Sequence, residues 1–263
     1  MADLGKYQIN NCYAGQSEEL MLDLPDECID LTVCSPPYGE EREYDGFELD
    51  WRKIIKQLYR ITKPGGVAVW VVADTTTDTC ESLEPFKQAL YAVEMGFNNE
   101  TMIFKPKGTG AKGSNYLYLQ AFEFMFVWIK GKPKTYNLIR DRKNKYSGTT
   151  VSIAQHKYDG RKKKERVTEE YGRRTNIWEY NVGHGNGDDK TDHPAPFCEA
   201  LAQDHILTWS NPGDIVFDPF MGSGTTAKMA KLNNRNYLGF DKSPNYIDNI
   251  ITPRLRNTGV KLF

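Results

Sequence analysis

Apolar residues in this chain fall into short unbroken runs, separated by stretches where they recur every three or four positions. Ile29–Cys34 is one such run; it reads as a buried strand ending at a Pro-Pro turn. Leu49, Ile54, Ile55, Leu58 and Ile61 then approximate one helical face, closed by Lys63, Pro64, Gly65 and Gly66. A second buried strand is expected over 67–73, and helical spacing returns over 83–95 until Gly96. Segments 101–104 and 122–129 read as further strands.

Beyond Lys130 the periodicity fades. Residues 131–192 are rich in Lys, Arg, Tyr, Asn, Gly and Thr and carry no core pattern. A structureless loop of that length is unusual inside a compact domain, which points to an insertion that folds sparsely. Regular patterning resumes at Pro194. Phe197, Leu201, His205 and Trp209 mark a helix, Asn211, Pro212 and Gly213 a turn, and 215–217 a strand. A glycine-rich loop follows, then a helix at Thr225–Leu232 and a strand at 237–240 that ends in Asp241. Strands alternating with helices on both sides of the insertion predict an α/β fold with a mostly parallel sheet.

Composition adds one feature to this picture. The chain of 263 residues has a formal net charge of −1, but the charge is segregated. Between Lys130 and Arg174 there are 15 Lys and Arg against 5 Asp and Glu, leaving 19 against 30 elsewhere. Such a basic block suits a polyanion, with a solvated basic loop as the plainer alternative. No apolar run reaches the roughly 18 residues of a membrane helix, and no secretory pattern opens the chain. Cys12, Cys28, Cys34, Cys80 and Cys198 lack metal-ligand spacing, as do the four histidines, so reduced thiols, no metal and a cytosolic setting are expected.

Two loops carry candidate chemistry. The first is Ser35, Pro36, Pro37 and Tyr38, directly after the first strand. The second is Asp218, Pro219, Phe220, Met221, Gly222, Ser223, Gly224, Thr225 and Thr226. Strand, glycine loop, helix, strand and acid together form a nucleotide-binding order, in which Asp241 can accept hydrogen bonds from a ribose diol. The short spacing of Gly222, Gly224 and Ala227 would also pass as a nicotinamide-type fingerprint. In the first loop, Ser35 Oγ and the Pro36 carbonyl are acceptors for the protons of an exocyclic amine. Such an amine is a poor nucleophile while its lone pair is delocalised, and acceptors favour the tetrahedral geometry of attack. Tyr38 offers a flat face for a base taken out of its stack. Standing alone, each loop also reads as an ordinary turn.

Together the loops resemble the beta-class DNA amino-methyltransferases, which act on cytosine N4 or adenine N6. The resemblance covers about 1–130 and 193–252. It includes Gly15, Gln16 and Ser17, the Lys63 to Gly66 turn, and Glu123 and Phe124 through Lys130 and Gly131. Gln16 departs from the acid common at that place. The resemblance implies a Rossmann-like, mostly parallel sheet with helices on both faces, circularly permuted motif order and an inserted target-recognition region. It divides the chain into a catalytic half (1–131), the recognition insertion (132–192) and a cofactor half (193–263). It implies S-adenosyl-L-methionine as cofactor, held by His193, Pro194, Phe197, Asp218, Pro219, Phe220, Gly222, Ser223, Gly224, Thr225 and Asp241. Ser35, Pro36, Pro37 and Tyr38 would form the target-amine motif, in the form associated with cytosine N4; adenine-N6 enzymes usually begin it with Asp or Asn.

Lys143, Lys145, Lys157, Arg161, Lys162, Lys163, Lys164, Arg166, Arg173 and Arg174 are candidate phosphate contacts. The expected partners are duplex DNA and a separate restriction endonuclease acting on the same site. The reading is a cytosine-N4 methyltransferase of the cytoplasm. Adenine-N6 methylation and a catalytically silent DNA-binding protein are its alternatives. Asp74, at the end of the second strand, reads either as a polar contact to cofactor or base or as a cap.

Overall fold

The computed structural model describes residues 3–37, 49–107, 116–153, 164–181 and 197–259. Its centre is an eight-stranded sheet. In chain order the strands are β1 (Asn11–Ala14), β2 (Ile29–Cys34), β3 (Thr62–Val72), β4 (Asn98–Lys107), β5 (Glu123–Ile129), β6 (Ile177–Asn181), β7 (Ile215–Asp218) and β8 (Asn236–Asp241). Across the sheet they lie β1, β8, β7, β2, β3, β5, β4, β6. Only the pairings of β5 with β3 and with β4 are antiparallel; the rest are parallel, as predicted.

Among the described residues the four longest helices, which flank the sheet, are α1 (Trp51–Ile61), α2 (Glu84–Met95), α3 (Glu199–Trp209) and α4 (Thr225–Leu232). In α1 the side chains of Ile54, Ile55, Leu58 and Ile61 are fully buried, and Asp50 caps its start by accepting from the Lys53 N–H at 3.2 Å. They meet Ala68, Trp70, Val72, Phe126 and Trp128 on one sheet face, together with Ala92 of α2. Strand alternation sends Val67, Val69, Val71, Met125 and Val127 to the other face. There Leu201, Ala202 and Ile206 of α3 and Ala227, Met229 and Ala230 of α4 are buried in turn. Apolar side chains on both faces explain why the central strands appear as unbroken hydrophobic runs.

Two strands escaped the sequence pattern. β1 and β6 are the sheet's edges, and neither has a continuous apolar stretch. Trp178 anchors β6 inward, stacking on His205 of α3 with ring centres 4.6 Å apart, and the half-buried Tyr180 donates to Asp204 of the same helix at 2.5 Å. Strand β3 also begins earlier than its apolar run. Its Lys63 to Gly66 turn is paired with the end of β5, Gly65 N–H donating to the Lys130 carbonyl at 2.7 Å.

Residues 138–176 form a separate compact unit. It consists of two short antiparallel pairs, Arg142–Lys143 with Tyr171–Gly172 and Thr150–Ile153 with Lys164–Val167. Tyr146, Val151, Val167 and Tyr171 are all exposed, so a unit this small hides too little apolar surface to produce a period in the sequence. No helix among the described residues is long and apolar enough to cross a membrane.

Candidate active site

The connection from β2 through α1 to β3 runs one way across the sheet, and that from β7 through α4 to β8 runs the other. Crossovers of one hand but opposite direction place their helices on opposite faces, opening a crevice beyond the carboxyl ends of β2 and β7. Both motif loops leave the sheet at this switch point. Leu31 and Thr32 pair with Val216 and Phe217, while Asp218 pairs with Gly239 of β8. The two loops therefore begin on adjacent strands, at one edge and at nearly the same level.

A direct bond links them. Thr226 Oγ1, in the first turn of α4, donates to the Val33 carbonyl at 3.1 Å, two residues before Ser35. Ser35 is half-buried, Pro36 buried and Pro37 half-buried. The paired prolines fix backbone φ there, which holds the Pro36 carbonyl in one direction. Among the described residues nothing bonds the Ser35 hydroxyl. Tyr38 lies outside the described residues.

The glycine loop is tied down from several sides. Asp218 accepts from the Phe220 N–H at 2.9 Å, and Met221 N–H donates to the Phe240 carbonyl at 2.9 Å. Asp241 accepts from Gly222 N–H at 2.8 Å and Ser243 N–H at 2.9 Å, so it shapes the loop. Gly224 sits at φ 79°, a region that costs any side chain. Gly239 is required for a different reason. A Cβ there would lie 2.2 Å from the Met221 sulfur, which crosses the strand at that point. Phe220 turns its edge to Trp70, with centres 6.0 Å apart. From the N-terminal segment, Ser17 Oγ donates to the Pro219 carbonyl and Gly15 N–H to the Asp241 carbonyl.

The electrostatics of this edge are unusual. Burial pushes Asp218 from its ordinary 3.8 up to about 7, although the Phe220 N–H favours the charged form; desolvation outweighs that bond. Asp241 is raised as well, again chiefly by burial. Burial and these two carboxylates together drive the Cys12 thiol to about 12. Neither aspartate is ion-paired among the described residues. Two desolvated carboxylates suit a ligand that brings a positive charge and hydroxyl donors, as a sulfonium nucleoside does. Cys34, beside the target motif, is fully buried and its thiol is held well above the ordinary value, so it remains protonated and poorly nucleophilic.

Asp74 is a cap. Its carboxylate accepts from Thr75 N–H, Ser82 Oγ and Leu83 N–H, which organises the turn before α2. Phe197 is half-buried just ahead of α3, while His193 and Pro194 lie outside the described residues. Sequence reasoning missed the linking role of Thr226 and the roles of Ser17 and Arg254. Thr226 was visible as part of the motif string and Ser17 as part of the 15–17 segment; Arg254, which donates to the Ser223 carbonyl and Thr225 Oγ1, carried no local signal. Among the described residues no group of three or more His, Cys, Asp and Glu is placed to hold a metal ion.

In the small unit, Lys143, Lys145 and Arg173 are exposed and make no ion pair among the described residues. Arg166 is instead paired with Glu169 at 2.8 Å and Arg174 with Asp141 at 2.5 Å. Lys157, Arg161, Lys162, Lys163 and the Lys164 side chain lie outside the described residues.

This fold is that of a Rossmann-like methyltransferase. The sequence pattern of the DNA methylase family, which embraces N4 and N6 amines, matches residues 29–252. The chain belongs to that family. It is 51% identical over 238 residues to the orphan methyltransferase M.BamHII of Bacillus amyloliquefaciens, covering 87% of this chain and 89% of the relative. Among solved structures, the fold is similar to the cytosine-N4-specific PvuII DNA methyltransferase, with TM-score 0.66 and 20% identity over 95% of this chain and 93% of that one. It is also similar to the M1.HpyAVI–SAM complex, with TM-score 0.63 and 22% identity over 93% and 98% of the two chains.

Proposed function

We propose that this DNA methyltransferase modifies the exocyclic N4 amine of cytosine. S-adenosyl-L-methionine is its cofactor, and when bound it supplies an electrophilic methyl group on sulfur. The observation that carries the reading is the shared sheet edge: the Ser35 loop and the Asp218 loop leave adjacent strands joined by the Thr226 to Val33 bond.

In this reading Ser35 Oγ and the Pro36 carbonyl accept the two amine protons and turn the nitrogen lone pair toward the cofactor side of the crevice. The Asp218 to Thr225 loop and Asp241 hold the cofactor, with Phe220 as an apolar wall and His193, Pro194 and Phe197 flanking it. The cytosine is flipped from the duplex and stacks on Tyr38. Ser35 is too weak a base to keep the released proton, which leaves to water either directly or through Ser35. No covalent enzyme intermediate is required, in keeping with the buried, protonated Cys34.

Residues 132–192 take the part of the recognition region, with the basic residues of that block on phosphates. A restriction endonuclease sharing the site is the proposed partner; a relative named as an orphan methyltransferase makes a chain acting without one the competing case. The cytoplasm is the proposed location. Ser35 at the head of the motif favours cytosine N4, whereas adenine N6 is the alternative within the same family. Nucleoside analysis of plasmid DNA methylated by the protein separates them: N4-methylcytosine is expected, and N6-methyladenine overturns the assignment.

A further inference from the structure

One buried guanidinium ties the cofactor loop to two distant elements. Arg254 lies in a short C-terminal helix, Thr252–Asn257, and its side chain is only 7% exposed. Its Nη1 donates to the Ser223 carbonyl at 2.8 Å, to Ser223 Oγ at 3.2 Å and to Thr225 Oγ1 at 3.1 Å. Its Nη2 is ion-paired with Glu199 at the start of α3. The same Glu199 oxygen accepts from Lys228 of α4 at 2.6 Å. Ile251, just before this helix, closes over Gly224, where an added Cβ would lie 3.2 Å from its Cγ2.

We propose that Arg254 is a positioning residue: it sets the shape and hydrogen-bond polarity of the turn 223–225 that receives the cofactor. The chemistry of the donor is decisive. Both hydroxyl oxygens accept from the guanidinium, and the 3.2 Å contact between Ser223 Oγ and Thr225 Oγ1 uses one hydroxyl hydrogen. The other remains a donor, polarised by the neighbouring positive charge, for an acceptor on the ligand. A lysine has one nitrogen where arginine has a planar fork, and so cannot hold Glu199 and the turn in the same way. The network is buried, so removing Arg254 leaves Glu199 and the loop oxygens without this donor in a poorly solvated place.

This inference rests on the S-adenosyl-L-methionine reading, and the experiment keeps the two apart. Titration of the wild-type chain with S-adenosyl-L-methionine tests the reading itself; absence of binding removes it. With wild-type binding in hand, R254Q is expected to raise the KM for the cofactor about 10- to 100-fold, the scale of a lost charge-assisted bond, with kcat and DNA affinity much less affected. R254K is expected to shift KM in the same direction by less, and it carries the test if R254Q does not fold. Leu255→Ala removes a buried apolar side chain from the same helix but none of the turn's hydrogen bonds. It is expected to lower Tm and leave the cofactor KM unchanged. A wild-type KM in the folded arginine variants, or an equal KM rise in L255A, overturns the assignment.

Discussion

Thr226 and Val33 are 193 residues apart in the chain, yet the Thr226 hydroxyl donates to the Val33 carbonyl at 3.1 Å inside the protein. This bond fixes the first turn of the cofactor helix against the strand that delivers Ser35. Thr226→Val keeps the shape but leaves the buried carbonyl without this donor, at a cost of about 1–3 kcal/mol. A lower Tm is expected, with kcat falling more than the cofactor KM rises. Steady-state kinetics beside thermal melts check it.

Ser35→Ala removes the proposed acceptor for the amine while leaving the proposed cofactor loop untouched. Turnover is expected to fall by about 100-fold, the scale of one well-placed transition-state hydrogen bond. Cofactor affinity measured by titration should stay near wild type; a variant that loses binding but keeps its turnover would contradict the assigned role.

Asp241→Ala should act in the opposite sense. It deletes the acceptor for Gly222 and Ser243 N–H groups as well as the proposed ribose contact. Cofactor Kd is expected to rise about 10- to 100-fold, and saturating cofactor should restore much of kcat. Equal affinities in mutant and wild type would remove Asp241 from the site.

Asp218 makes stability depend on pH. Its carboxyl titrates near 3.8 when unfolded and at about 7 when folded. The folded state therefore holds a proton that the unfolded chain has lost between those values, and stability falls as pH rises through that window. Asp218→Asn, which can still accept from Phe220 N–H, should flatten this part of the profile. Thermal melts of both proteins from about pH 4 to 7.5 test it; parallel curves would mean that the carboxyl titrates normally.

Lys143, Lys145 and Arg173 are exposed cations of the small unit, whereas Arg166 and Arg174 are engaged in ion pairs. Replacing the first three with alanine should weaken DNA binding and reduce the slope of log K against log salt by about 0.9 for each phosphate no longer neutralised. Arg166→Ala should change the slope less. Neutralising Arg161, Lys162, Lys163 and Lys164 is expected to act like the triple variant. Salt titrations with unchanged slopes would move the DNA interface elsewhere.

The amino-acid sequence alone determined the interior strands, their helices and both loops. Each is encoded locally: β2, β3, β5 and β7 by apolar runs buried on two faces, α1 by its apolar stripe, the loops by two motif strings that are distinctive as a pair. It did not reveal β1 or β6, because an edge strand needs little apolar surface of its own. Nor did it reveal the bond of Ser17 to Pro219, or Glu199, Lys228 and Arg254 around the glycine loop, whose partners are brought near only by the fold. The tertiary structure decided that β2 and β7 are neighbours with their carboxyl ends level. Strand adjacency depends on backbone pairing and the handedness of remote connections, and no local pattern of side chains records it.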